Sequence, residues 1–306
     1  MIASHWKDWV ELSRPLFHSV GILPFILGVT LSWRMGFAVH WPVFYLGLAG
    51  VILIMLASYY GGEAYDVVED RIASSDGRSR FSGGSGVVID GRISPNQAKL
   101  LSLVAILSAG FVGILIQFGY HTGPWTLPLG VIGALAGYYY ATPPFRWVKR
   151  GVGELLIGFC YGWLPVATAF YLQTGSFHRL IHWLALPIGC TIFNVILLNE
   201  FPDHRGDVLA GKRNLVVRLG REICSQIYGA VTLLAWIFLV MGIVAGLPIH
   251  LLVLVSPLYL MGGKIYIDLR RGVFHDKKTL EKLCERNLFI NLGTISLMIL
   301  CVILWL

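Results

Sequence analysis

Charge is scarce in this chain. Asp, Glu, Lys and Arg make up 13% of its 306 residues, about half of what a soluble domain carries. Hydrophobic residues make up 56%, more than a soluble protein of this length can hide. A bilayer is the solvent that accepts such a composition. Paired cysteines are missing too. Cys160, Cys190, Cys224, Cys284 and Cys301 form no C-x-x-C, which leaves no zinc ribbon and no dithiol redox motif; Cys160, Cys190 and Cys301 read as small packing residues in apolar runs. The first residues have no apolar stretch ending in a small-residue cleavage site, so residues 1–14 are expected to stay on the chain. There Trp6 and Trp9, among His5, Lys7, Asp8, Glu11 and Arg14, predict a short interfacial helix. The glycine- and serine-rich stretch 82–86 lacks the lysine of a P-loop and reads as a flexible linker with backbone N–H groups to offer.

What is present is a series of long apolar runs. They fall at 16–33, 43–60, 98–119, 125–140, 152–172, 182–198, 225–245, 249–266 and 287–306. They predict an all-α, multi-pass membrane bundle of about nine transmembrane helices. The basic residues set its orientation. Of the 24 Lys and Arg, only Arg34 and Arg179 fall on odd-numbered connections. The rest lie on the N-terminus and the even-numbered connections, which predicts a cytoplasmic N-terminus. The net charge of +7 is thus a cytoplasmic fringe facing lipid headgroups and anionic ligands, and calls for no nucleic acid. Two inner loops, 61–97 and 199–224, are long and polar, and long loops in compact proteins tend to carry function.

These two regions hold the informative carboxylates. Glu63, Asp66 and Asp70 repeat the spacing of Glu200, Asp203 and Asp207, each set at the inner end of an even-numbered apolar run. Spacing i, i+3, i+7 places three carboxylates on one helical face. Pro202 predicts a kink or break in the second set. Two such faces repel, and hard divalent cations with oxygen ligands answer that cost, magnesium above all where phosphate completes the shell. The candidate metal ligands are therefore Asp66, Asp70, Asp203, Asp207, Glu63 and Glu200. His204 alone stands near as a softer ligand, so a histidine or thiolate site does not fit. Arg71, Arg78, Arg80, Arg146, Lys149, Lys212 and Arg213 lie close in sequence, and guanidinium and ammonium groups bind phosphate.

The residues resemble the UbiA superfamily of membrane prenyltransferases. The stretch from Asn199 to Asp207, followed by Gly211-Lys212-Arg213, is similar to that family's second Asp-rich motif. Ser13-Arg14-Pro15 with Pro24 resembles its first-helix opening, and Tyr140 to Pro144 with Lys149, then Gly153-Glu154, its central loop. The similarity covers most of the chain, read as a single domain over 1–306. One departure stands out: Gly62 occupies the position of the family's usual first-motif Asn, with Glu63 beside it.

The resemblance implies a Mg2+-dependent prenyltransferase of the plasma or inner membrane, with its site facing the cytoplasm. A polyprenyl diphosphate binds through magnesium to Asp66, Asp70, Asp203 and Asp207, with Lys149 assisting catalysis. Arg14, Asn199, Arg71, Arg78, Arg80, Arg146, Lys212, Arg213 and Tyr140 bind substrate. Diphosphate leaves, and the allylic cation alkylates an aromatic acceptor. Tyr65, Tyr138, Tyr139 and Tyr140 are placed to face that cation. The Asn-Glu-Phe-Pro-Asp form and the 82–94 stretch resemble the naphthoate, menaquinone-pathway branch. A 4-hydroxybenzoate or other acceptor, or a prenyl cyclase of the same fold, remains an alternative. A cation-coupled transporter also remains one, although its charged segments belong nearer the midplane.

Overall fold

The computed structural model describes residues 6–75 and 84–305, and every regular element among them is helical. Helix α1 spans Trp6–Leu12 and a tight turn at Pro15–His18 leads into α2, Ser19–Arg34. Helix α3 is Trp41–Tyr65 and α4 is Val67–Ser75. Helix α5, Pro95–Ile114, begins with a reciprocal cap: Ser94 Oγ accepts the Gln97 N–H while Gln97 Oε1 accepts the Ser94 N–H. Its Pro95 sits at the first helical position, where the missing N–H costs nothing. Then come α6 (Thr126–Tyr138), α7 (Gly153–Gly158), a wide turn at Phe159–Trp163, and α8 (Leu164–Thr174). The last four are α9 (Arg179–Leu209), α10 (Leu215–Val244), α11 (His250–Arg270) and α12 (Lys277–Trp305).

Among the described residues, 8 helical stretches are long and apolar enough to cross a membrane. The remaining expected segment, 125–140, is the 13-residue α6, which rises about 20 Å where a full span needs about 30 Å. It stops at Tyr138 because the chain turns toward Pro143 and Pro144, which offer no N–H and push the preceding residue out of the helical region. Large apolar side chains such as Leu107 and Phe111 of α5, and Leu233 and Val244 of α10, stand exposed on the outside. In water that surface is a liability; in lipid it is the natural face.

The acidic stretches are more helical than the polar-loop reading expected. The second one belongs wholly to α9, which runs unbroken through Pro202. Proline frees the carbonyl four residues back. Here that carbonyl, Leu198 O, accepts the Cys284 thiol at 3.7 Å from α12, and just before the proline Phe201 O accepts Arg221 Nη2 at 2.7 Å. Both groups satisfy the backbone from outside, so no break follows. The first stretch does interrupt. Asp66, at φ −102° and ψ 18°, separates α3 from α4. The axis is nearly kept, because Asp66 N–H still reaches Gly62 O at 2.9 Å and Asp70 N–H reaches Asp66 O at 2.8 Å.

The connection from α9 to α10 is short, and Asn214 caps α10 by accepting the Val217 N–H at 2.9 Å. Helix α10 is itself interrupted at Gly220, whose φ of +80° suits glycine. That leaves Leu215–Leu219 as a separate turn over the end of α9.

Candidate functional site

A chamber of about 240 Å³ opens where the ends of α3, α4 and α9 meet the 139–149 segment. Glu63, Asp66 and Asp70 enter it from one side, and Asn199, Glu200, Asp203 and Asp207 from α9 on the other. The two sequence-distant clusters thus share one cavity. Arg14, Tyr140 and Lys212 join them in the lining.

Each carboxylate has a distinct surrounding. Asp207 is clamped: Lys212 Nζ stands 2.9 Å from its Oδ1, and Asn214 Nδ2 donates to its Oδ2 at 2.7 Å. The same Asn214 starts α10, so the cap fixes both helix and carboxylate. Asp66 Oδ1 receives Arg146 Nη2 at 2.5 Å, and that guanidinium also reaches Tyr65 O at 3.1 Å and Glu69 Oε1 at 3.3 Å. Lys149 Nζ meets Glu69 Oε1. Glu200 lies beside Glu154, whose Oε1 accepts the Leu215 N–H at 2.6 Å. The second oxygens of Glu63, Glu154 and Glu200, and Asn199 Oδ1, are buried with no hydrogen-bond partner.

Burial is the largest single influence on the charges of Asp66, Glu69, Asp70 and Lys212. It pushes the Asp70 carboxyl up to about 7, with Asp66, Glu63 and Asp203 adding to the rise and Lys212 opposing it. Asp66 is raised as well, burial outweighing Lys212 and Arg146. Burial alone would lower Lys212, yet Asp207, Asp66 and Asp70 overcome it and hold the ammonium strongly protonated. Glu69 goes the other way: burial is exceeded by the joint pull of Lys149 and Arg146, so its carboxyl sits below the usual range.

A pH dependence follows. With no metal bound, Asp70 titrates near 7 rather than at 3.8, so the folded state holds a proton that the unfolded chain has released. Metal-free stability therefore falls as pH rises through that window. A metal ion bound at Asp70 would have to displace the proton, and calorimetric Mg2+ affinity would then drop about tenfold per pH unit below 7 and level off above it.

The fit to a magnesium ion can be judged from the donors. Among the described residues, no three His, Cys, Asp or Glu side chains converge closely enough to hold a metal by themselves. Magnesium does not ask for that. It keeps several waters and takes one or two carboxylates together with phosphate oxygens. Facing carboxylates, an all-oxygen set and buried oxygens left unpaired suit such an ion bound with an anionic partner. In the metal-free chain Lys212 and Arg146 supply the balancing charge.

A second cavity, about 190 Å³ and almost wholly apolar, lies deeper between α3, α5, α6 and α8. Gly47, Gly110, Gly130 and Gly133 keep its walls thin. Ser58, Tyr140, Ile157 and Tyr161 line both cavities. The charged chamber and the apolar one therefore meet at a neck with two tyrosines.

The residues singled out from sequence separate into three groups. Asp66, Asp70, Asp203, Asp207, Glu63, Glu200, Arg14, Asn199, Lys212 and Tyr140 line the chamber. Arg146 and Lys149 lie behind it, on Asp66 and Glu69, while Arg71 and Arg213 are exposed and outside the lining. Arg78 and Arg80 lie outside the described residues. Of the tyrosines expected to face a cation, only Tyr140 lines the chamber. Tyr138 and Tyr139 pack edge to face against each other, and Tyr65 carries the Lys99 ammonium 4.8 Å above its ring. Sequence reasoning missed Tyr59 and Tyr161, which line the chamber, and Asn214 and Glu154, which hold its floor. The tyrosines sit inside apolar runs and gave no signal; Asn214 was legible as a cap before an apolar helix.

A family model described as the UbiA prenyltransferase family matches residues 22–303. The 1,4-dihydroxy-2-naphthoate octaprenyltransferase of Escherichia coli is 30% identical over 253 residues, covering 76% of this chain and 74% of that one. The 2-carboxy-1,4-naphthoquinone phytyltransferase of Synechocystis sp. is 28% identical over 222 residues, covering 72% and 69%. In fold, the chain is similar to a UbiA homologue from Archaeoglobus fulgidus solved with DMAPP and Mg2+, at 18% identity and a TM-score of 0.66, over 98% of this chain and 100% of that one. With the family match running over almost its whole length, this multi-span membrane protein belongs to the UbiA prenyltransferase family and is a prenyltransferase.

Proposed function

We propose that the enzyme transfers a polyprenyl group from its diphosphate to 1,4-dihydroxy-2-naphthoate in lipoquinone synthesis, with Mg2+ at Asp66, Asp70, Asp203 and Asp207. The observation that carries this reading is the joined pair of cavities, one lined by carboxylates and cations, the other apolar, meeting at Tyr140 and Tyr161. A diphosphate fits the first and a prenyl tail the second. The naphthoate-prenylating relatives support the acceptor, and the Mg2+ and DMAPP held by the archaeal homologue support the donor side.

When bound, magnesium supplies positive charge to the leaving diphosphate oxygens. The chain does the rest. Lys212 and Arg14 add fixed cations at the chamber wall, and Asn199 Oδ1, buried and unpaired, offers one more oxygen beside Glu200. Because these groups are already in place, charge developing on the leaving group needs no reorganisation. Arg146 and Lys149 act from behind, holding Asp66 and Glu69. The Tyr140 and Tyr161 ring faces stand at the neck, where an allylic cation is favoured and water has little room. The whole of 1–306 acts as one domain, with the chamber on the cytoplasmic side of the plasma or inner membrane.

The test uses detergent-purified protein, a labelled prenyl diphosphate and candidate acceptors. Prenylated naphthoate is expected to form with Mg2+ and to vanish in excess EDTA. Transfer to 4-hydroxybenzoate with none to the naphthoate would overturn the acceptor assignment, and turnover undiminished by EDTA would overturn the metal.

A further inference from the structure

Glu63 stands where the first acidic motif departs from its family, beside Gly62. On a helix, neighbouring side chains point about 100° apart. Gly62 lines the chamber, and a side chain there would pass Ala141 at 3.8 Å. Glu63 also borders the chamber, but it is only 3% exposed, and one of its oxygens is already taken. Its Oε1 accepts the backbone N–H of Ser85.

Ser85 opens the 84–94 segment. Gly84, at φ +65°, is pressed so closely onto the cluster that an added Cβ would lie 2.6 Å from Asp70 Oδ2 and 3.0 Å from Glu63 Oε1. Beyond it, Val87, Val88 and Ile93 are buried with Leu12 of α1, Ala64 of α3 and Ala98 of α5. Arg92 ties the far end to α1 through Asp8 and Glu11, each at 2.6 Å. The segment is therefore a wall seated on that apolar cluster and held by polar contacts at its two ends. The outer hold is a surface ion cluster, and the inner one is Glu63.

We propose that Glu63 is a positioning residue that pins the 84–94 wall through the Ser85 amide, sets Asp70 against Gly84, and is not a ligand of the metal. This rests on the metal–diphosphate reading above. Oε1 is committed to that amide, and swinging the carboxylate to bring both oxygens to a metal would release the wall; the remaining Oε2, which has no partner, is what a glutamine substitution tests.

The two roles part under conservative substitution. Glutamine keeps an oxygen that accepts from Ser85 but makes a poor magnesium ligand. Glu63→Gln is expected to retain transfer within about threefold, with the Mg2+ concentration for half-maximal rate unchanged. Glu63→Ala loses a hydrogen bond to a charged group and is expected to raise KM for the prenyl diphosphate about tenfold, with a smaller change in kcat. The peptide containing Ser85 should then exchange its amide hydrogen faster in Glu63→Ala, and not in Glu63→Gln. Gly84→Ala should copy Glu63→Ala, since its Cβ forces the wall off. Loss of turnover in Glu63→Gln, or a raised Mg2+ requirement there, overturns the proposal in favour of a ligand. Unchanged KM and unchanged exchange in Glu63→Ala overturn it in favour of no role. Retained turnover in Asp66→Asn and Asp203→Asn would instead overturn the underlying metal reading.

Discussion

Asp203→Asn is expected to cut prenyl transfer by about 10³-fold or more, the scale lost when a group that stabilises developing charge is removed. Asp66→Asn should match it, and kcat/KM for the prenyl diphosphate is the quantity to measure. The substitution keeps volume and polarity and takes away one negative charge, so the helices should remain folded. Within the second motif, the Asp207 substitution would give a mixed result. Asp207 accepts from Asn214 Nδ2, and an amide there would set two N–H₂ groups against each other. Circular dichroism and the thermal midpoint should match the parent protein. A variant that folds normally and still turns over at more than a tenth of the parent rate would sink the assignment of Asp203 to the metal.

The second large effect belongs to Lys212. It is nearly enclosed, 2.9 Å from Asp207, and its charge is felt by Asp66 and Asp70 as well. Lys212→Met removes the ammonium while keeping a chain of similar length. The carboxylates then face one another uncompensated, and breaking a buried pair costs about 3–5 kcal/mol before protonation relieves it. The thermal midpoint in EDTA should fall, and Mg2+ with diphosphate should restore more stability than in the parent, because the ligand now supplies the missing charge. Turnover should fall about 10²-fold, with the loss in kcat. Normal stability in EDTA together with normal kcat would show that the ammonium serves neither the resting chamber nor the leaving group.

Much of the site was readable because charge in an apolar chain is costly and seldom accidental. Asp66, Asp70, Asp203 and Asp207 stood out for that reason, and the spacing put them on helix ends before any coordinates. The helical extent of the second motif was not readable. Pro202 speaks for a break when only its own helix is considered; what carries α9 through is a thiol on α12 and a guanidinium on α10. Likewise Glu63 looks like a third ligand in one dimension, and its contact with Ser85 exists only because the wall folds back over it. Tyr59 and Tyr161 lie in apolar runs where a tyrosine reads as packing, and α6 had the composition of a span but only 13 residues of helix. For α9, Glu63 and the tyrosines the deciding partner is remote in sequence.

That short α6 alters the surroundings as much as the protein. It walls the apolar cavity with Leu127, Gly130, Gly133 and Gly137 and falls about 10 Å short of the hydrocarbon thickness. Lipids packed against it must shorten, tilt or let headgroups sink inward, at a cost of a fraction of a kcal/mol for each ångström of mismatch. The bilayer beside the cavity is therefore expected to be thinner than the bulk before any substrate arrives. A prenyl tail leaving such a patch would give up less ordered packing than one leaving bulk lipid, and the membrane itself would then lower the cost of handing over its own component.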